Sequence, residues 1–134
     1  MRVGETWRLR WADIDLINKT VRVTPEKGSE PRIFKISDAL LERLGSIRGT
    51  GDRVYGKNLK TKRELFESLM KRVAYKLKNP RILGITFHTF RYWKATTLYH
   101  QTKDILYVMN SLGHKNIKNT LIYVRLDEAI YQMA

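Results

Sequence analysis

Two short clusters in this sequence hold side chains suited to handling a phosphate. His88-Thr89-Phe90-Arg91 sets an imidazole and a guanidinium three residues apart. On a helix, that spacing puts both on one face about a turn apart. A guanidinium can bond two oxygens of one phosphate at once, and an imidazole beside it can donate or accept a proton. Such a pair is also common on surface helices and identifies nothing alone. The second cluster is Leu112-Gly113-His114, followed nine residues on by Tyr123. Gly113 closes one helix, His114 opens the next turn, and two short turns later Tyr123 can return to the same place. Tyr123 equally suits a core position, as one of seven tyrosines.

The charge balance points the same way. Lys and Arg number 26 against 13 Asp and Glu, for a net charge of +13 and a pI near 10.2. Such a surface favours a polyanion, nucleic acid first and an anionic membrane surface second. The excess is greatest over residues 57–81, which carry nine basic and two acidic residues. With 43% hydrophobic and 29% charged residues among 134, the chain has the composition of one folded domain and not of a basic tail. There is no cysteine, so disulfides, thiol nucleophiles and thiolate metal sites are excluded. No apolar run reaches the roughly 20 residues that span a bilayer. The start lacks the apolar stretch of a signal peptide. These features suit the cytoplasm.

The elements that must position these residues follow from pattern. Arg2 to Asp13 reads as a helix running into a turn. Thr20–Thr24 alternates with β-branched residues, as a strand with Val21 and Val23 on one face. Pro25, Gly28 and Pro31 mark a loop, and Arg32–Ile36 reads as the second strand of a hairpin. Ser37 or Asp38 caps a helix with Leu40, Leu41 and Leu44 as its stripe and Gly45 as its stop. Residues 46–60 read as loop. Thr61-Lys62-Arg63-Glu64 matches a capping box before a helix that Asn79-Pro80 ends. Further helices are expected over Phe87–Gln101, Lys103–Leu112 (inner face Ile105, Leu106, Met109 and Leu112), Ile117–Val124 and Asp127–Met133. The fold class is α+β, mainly α with a small antiparallel β-hairpin or sheet.

In this order the motifs resemble the catalytic domain of the tyrosine recombinases, the phage-type integrases. Arg2-Val3-Gly4-Glu5, with Leu9-Arg10-Trp11-Ala12-Asp13-Ile14-Asp15 behind it, is similar to the start of their first motif. Lys27-Gly28 stands in the hairpin loop, with Arg32 after it. His88-x-x-Arg91, Leu112-Gly113-His114 and Tyr123 complete the set, so the resemblance covers residues 2–123. It implies a catalytic group of Arg2, Lys27, His88, Arg91, His114 and Tyr123. Tyr123 would attack a DNA phosphodiester to give a 3′-phosphotyrosine and a free 5′-hydroxyl. Arg2 and Arg91 would clamp the non-bridging oxygens. Lys27, on a flexible hairpin, would protonate the leaving oxygen. Lys35 is the alternative lysine, and Tyr131 a competing tyrosine. His88 would bond the phosphate or take the tyrosine proton, and His114 would donate a further hydrogen bond. Glu5 reads as a buttress that orients a neighbour.

The resemblance further implies double-stranded DNA as partner and no cofactor or metal. Lys62, Arg63, Lys94, Lys115 and Lys118 are candidate backbone contacts. Self-association is expected through the C-terminal tail, Asp127–Ala134. In the resembled family, helices and a core-binding domain precede the first catalytic arginine. Here that arginine is residue 2, so residues 1–134 read as one partial catalytic domain. Alternative readings are a truncated, non-catalytic DNA-binding remnant and type IB topoisomerase-like strand relaxation.

Overall fold

The structure, a computed structural model, describes residues 1–131. Helix α1 (Val3–Trp7) leads through a 3₁₀ turn at Trp11–Asp13 into a three-stranded antiparallel sheet. Its strands, in spatial order, are β1 (Ile14–Asp15), β2 (Thr20–Val23) and β3 (Arg32–Lys35). Helices α2 (Asp38–Ser46), α3 (Leu59–Lys76), α4 (Phe87–Thr102), α5 (Ile105–Leu112) and α6 (Ile122–Tyr131) follow. The expected α+β class holds. Val21 and Val23 both point inward on β2, and the hairpin closes with Val23 opposite Arg32. The two-residue β1 was not foreseen, because a strand so short carries no alternation to read.

Two small cores hold the chain. Leu9, Ile14, Val21, Ile36, Leu44 and Val54 form one, with Trp11, Phe34 and Tyr55 packed on it. Ala95, Val108, Leu112 and Tyr123 form the other, flanked by Leu98, Tyr99 and Leu126. Val54 comes from the stretch expected as loop. That stretch is tied to α1's end by the Trp11 N–H on the Asp52 carbonyl and the Val54 N–H on the Leu9 carbonyl.

Several local expectations are corrected. Helix α3 starts at Leu59, not at Thr61. Asn58 Oδ1 accepts the Thr61 N–H at 3.1 Å and so satisfies the free donor of the first turn. Gly45 lies inside α2, which runs on to Ser46. Leu40 is exposed, so Leu41 and Leu44 alone face the core, and on α5 Leu106 is exposed while Val108 is fully buried. Periodicity proposes a wide stripe, but the neighbouring elements decide which edge of it is covered. The break expected between Val124 and Asp127 is absent. A 3₁₀ turn at Ile117–Asn119 precedes one continuous α6 that starts at Ile122. Tyr123 therefore sits in the first turn of a helix, where tertiary packing fixes it. The expected tail is split: Asp127 is buried and bonds His100 Nδ1 at 2.6 Å and Lys103 Nζ, tying α6 to the end of α4. Residues 132–134 lie outside the described residues.

Gly113 ends α5 at φ +73°. A Cβ there would stand 2.5 Å from Arg32 Nη1 and 2.6 Å from Ser29 Oγ, and L side chains avoid that φ. Gly113→Ala should lower stability by about 2–4 kcal/mol, since left-handed strain and overpacking add. Chemical denaturation measures this, and a loss below about 0.5 kcal/mol, the scale of a neutral surface change, would contradict it.

Candidate active site

Arg91 is the centre of the site. It rises from the second turn of α4 into the interior and is buried. Its Nη2 donates to the Leu112 carbonyl at 2.9 Å and reaches His114 Nε2 at 3.3 Å. Its Nη1 is buried with no hydrogen-bond partner among the described residues. A buried guanidinium nitrogen left unpaired is costly unless something fills its reach. Burial lowers the Arg91 pKa from its usual value, against the pull of Tyr123. It stays cationic at any ordinary pH.

His114 stands on the turn after Gly113. Because Arg91 donates to Nε2, that nitrogen accepts, and the proton sits on Nδ1, which donates to Thr120 Oγ1 at 2.8 Å. Thr120 is fully buried. Burial, then Arg91, Arg2 and Arg32, push the His114 pKa down to about 4. The ring is neutral at pH 7, with its lone pair facing the arginine.

Tyr123 is 1% exposed and packed in the second core. Its ring lies 6.2 Å from that of Tyr92, whose other side meets His88 edge-on at 5.0 Å. Burial raises its pKa to about 12, and the nearby Arg91 charge opposes the rise. His88 is exposed at the start of α4 and shares a shallow cavity of about 240 Å³ with Arg63.

Arg2 and the hairpin close the other side. The Arg2 N–H donates to Glu5 Oε1 at 3.0 Å, and Arg2 Nη1 donates to the Lys27 carbonyl at 3.4 Å. Lys27 is exposed at the hairpin tip. Lys35 pairs with Thr20 at the far end of β3, away from the turn. Geometry thus favours Lys27 over Lys35 as the lysine beside Arg2. Tyr131 lies eight residues beyond Tyr123 on α6, about 12 Å along the axis. The hairpin is not free, contrary to the expectation of a flexible arm. Ser29 bridges to His114, and the Glu30 N–H bonds the Gly113 carbonyl at 2.9 Å. The Lys27 and Gly28 residues at its tip are exposed.

Arg2, Arg91, His114 and Tyr123 are therefore brought together, with Lys27 beside them and His88 one aromatic ring away. Lys62 and Lys94 line a cleft of about 950 Å³ that also takes in Arg91. Lys115 pairs loosely with Glu30 at 3.9 Å, and Lys118 is exposed on the next turn. Sequence reasoning missed Thr120, whose hydroxyl bonds the His114 ring, and Ser29, whose backbone bridges to that of His114. No local pattern marks a Thr six residues on as the partner of an imidazole, or a Ser 85 residues away as a backbone neighbour.

The pH dependence of stability follows. An unfolded His binds a proton near pH 6.5, but His114 resists it until about 4. Between these values the unfolded chain holds more protons, so stability rises with pH across the window and falls as pH drops from 6.5 toward 4. His114→Gln should flatten the melting-temperature profile between pH 6.5 and 4. An unchanged slope would mean that His114 titrates normally.

The description "Phage integrase family" matches residues 1–129. The tyrosine recombinase XerA of Saccharolobus solfataricus is 31% identical over 129 residues, covering 94% of this chain and 42% of that protein. A probable integrase/recombinase protein of Methanocaldococcus jannaschii is 27% identical over 139 residues, 95% of this chain and 42% of that protein. The crystal structure of XerA recombinase superposes with a TM-score of 0.72 at 25% identity, over 98% of this chain and 51% of that one. The pre-cleavage complex of XerH recombinase bound to its difH substrate shares the fold, with a TM-score of 0.67 at 21% identity over 96% and 40% of the two chains. The chain spans less than half the length of these curated relatives.

Proposed function

Since the chain belongs to the phage integrase family, we propose that it is the catalytic part of a site-specific DNA recombinase that cuts and rejoins strands through Tyr123. One observation carries the reading: the buried Arg91 meets His114 through Nη2, interacts electrostatically with Tyr123 and Arg2, and leaves Nη1 without a partner among the described residues. A phosphodiester supplies the acceptor oxygens that this nitrogen lacks. The relatives are named recombinases, and XerH is bound to a DNA substrate in its crystal structure. The +13 charge suits the same polyanion.

The steps balance as a transesterification. The Tyr123 oxygen gives up its proton, to His88 or to solvent, and attacks phosphorus. The bond from phosphorus to the 5′-oxygen breaks as the tyrosine–phosphorus bond forms. Lys27 delivers a proton to the departing 5′-oxygen. Arg2 and Arg91 hold the two non-bridging oxygens and offset their growing charge, commonly the largest single contribution. The reverse sequence, with a 5′-hydroxyl as nucleophile, rejoins the strand without an external energy source.

His114 changes role on binding. In the free protein its Nε2 accepts from Arg91. An anion drawing Arg91 toward itself frees Nε2. The added negative charge also favours protonation, so the ring can then donate to a phosphate oxygen. Tyr123 must likewise leave its 1%-exposed position to reach DNA. Binding therefore has to open the second core locally. Self-association on DNA, if carried by the C-terminal segment, starts beyond the buried Asp127, where Glu128 to Ile130 are exposed.

The test is the polarity of the break. Duplex DNA labelled at one end or the other is incubated with the protein, and the products are resolved under denaturing conditions. Protein attached to a 3′ end, with a 5′-hydroxyl open to kinase labelling, supports the proposal. A 5′ attachment, or a break with free ends only, overturns it.

A further inference from the structure

The most heavily bonded side chain near the site belongs to none of the six catalytic candidates. Arg32, at the start of β3, sends Nη1 to Glu5 Oε2 at 2.7 Å, Ser29 Oγ at 3.0 Å and the Glu30 carbonyl at 2.9 Å. Its Nη2 donates to Glu5 Oε1 at 3.2 Å, and its Nε to the Ser111 carbonyl at 3.0 Å. The Arg32 side chain is 7% exposed and that of Glu5 fully buried. Every nitrogen of this guanidinium is bonded within the protein, so it is spent as a DNA contact.

What it bonds is informative. Glu5 also accepts the Arg2 N–H. Ser29 and Glu30 form the turn two residues past Lys27, and Ser111 precedes the Gly113-His114 corner. One side chain thus meets three separate elements, each carrying a candidate catalytic residue. Burial raises the Glu5 pKa, but the hydrogen bonds from Arg32 and the Arg2 backbone outweigh it, and the carboxyl ends below its usual range. The planar fork matters here. A lysine keeps the charge but cannot bond a carboxylate, a hydroxyl and two carbonyls in fixed directions.

We propose that Arg32, held by Glu5, is a positioning residue that seats the hairpin turn against the His114 corner and thereby presents Lys27 to the leaving oxygen. This rests on the recombinase reading above. It gives Arg32 a role distinct from that of Arg2 and Arg91, which face the phosphate. It also accounts for the docking of the hairpin turn on the Gly113-His114 corner.

The leaving group separates this role from a general structural one. With sulfur in place of the 5′-bridging oxygen, the departing thiolate needs no proton, since thiols ionise near pH 8.5. A defect in presenting the acid then vanishes, whereas a defect in folding or charge stabilisation persists. Arg32→Lys and Glu5→Gln should cleave the all-oxygen substrate about 10²-fold more slowly, the scale of a lost general acid. On the sulfur substrate their loss should shrink below about fivefold, with Lys27→Ala showing the same pattern. Equal losses on both substrates, or no loss on oxygen, would overturn the proposal.

Amide hydrogen exchange reads the seating of the turn without any need for activity. In Arg32→Lys, the Glu30 amide, bonded to the Gly113 carbonyl, should exchange at least about tenfold faster while α4 keeps its protection. An unchanged Glu30 rate overturns the seating. Should the unaltered protein cleave neither substrate, the recombinase reading fails, and the Glu30 rate alone decides whether Arg32 seats the turn.

Discussion

On the proposed mechanism, Tyr123→Phe should abolish the covalent protein–DNA adduct and leave DNA affinity within about threefold, because affinity rests on the basic surface. The adduct rate should drop by more than about 10³-fold, the scale seen when a nucleophile is removed from a working group. The change deletes one oxygen from a ring already buried among Ala95, Val108 and Leu112, so the fold should survive it. A gel of the trapped complex and a binding titration at fixed salt give both readings. Unchanged capture would shift attention to Tyr92, whose ring lies against that of Tyr123.

Arg91 gives the second large effect. Arg91→Lys keeps the charge but loses the two-pronged geometry, and should slow cleavage about 10²–10³-fold, the range for removing one donor from a charge-stabilising site. Arg91→Gln should cost at least as much. It should also move a second observable. Arg91 is the leading charge that depresses His114, after burial itself. Its removal should let the His114 pKa climb from about 4 toward 6.5, as followed by imidazole proton resonances. A His114 pKa that stays near 4 in Arg91→Gln would show that burial, with Arg2 and Arg32, sets it without Arg91. Loss of the Nη2 bond to the Leu112 carbonyl should also loosen the end of α5.

Much of the site is legible in the sequence because its residues come in short local patterns. His88 and Arg91 share a helix turn, Gly113 and His114 share a corner, and Lys27 falls in a loop flagged by Pro25, Gly28 and Pro31. The hairpin register follows from Val21 and Val23, whose alternation allows one face only. The buttress role of Glu5 is also readable, although its partner is not. Arg32 lies 27 residues away from Glu5, and its bond to Ser111 spans 79. Nothing in local periodicity encodes such pairings. The same holds for Asp127, which binds across to His100 and Lys103 rather than forming a loose tail.

The helical errors share a cause. Leu40 and Leu106 extend apolar stripes that the described residues leave exposed. Asn58 and Thr61 both suit a cap, and Asn58 takes it by lying nearer the chain's entry. A continuous α6 replaces two expected helices because Tyr123, Leu126 and Asp127 all pack inward on one face, so packing carries the helix past its weak local signal. That packing also buries Tyr123 and raises its pKa to about 12. In the proposed reaction Tyr123 must therefore move toward solvent to reach DNA.

Trapping the covalent intermediate and locating it tests the role of Tyr123 most directly. The protein is incubated with duplex DNA bearing one 5′-bridging phosphorothiolate, the adduct is isolated under denaturing conditions, and the modified peptide is identified by mass spectrometry. A single phosphodiester link on Tyr123, lost in Tyr123→Phe, is the expected product. An adduct on any other residue, or binding and strand scission with no covalent link, would refute that role.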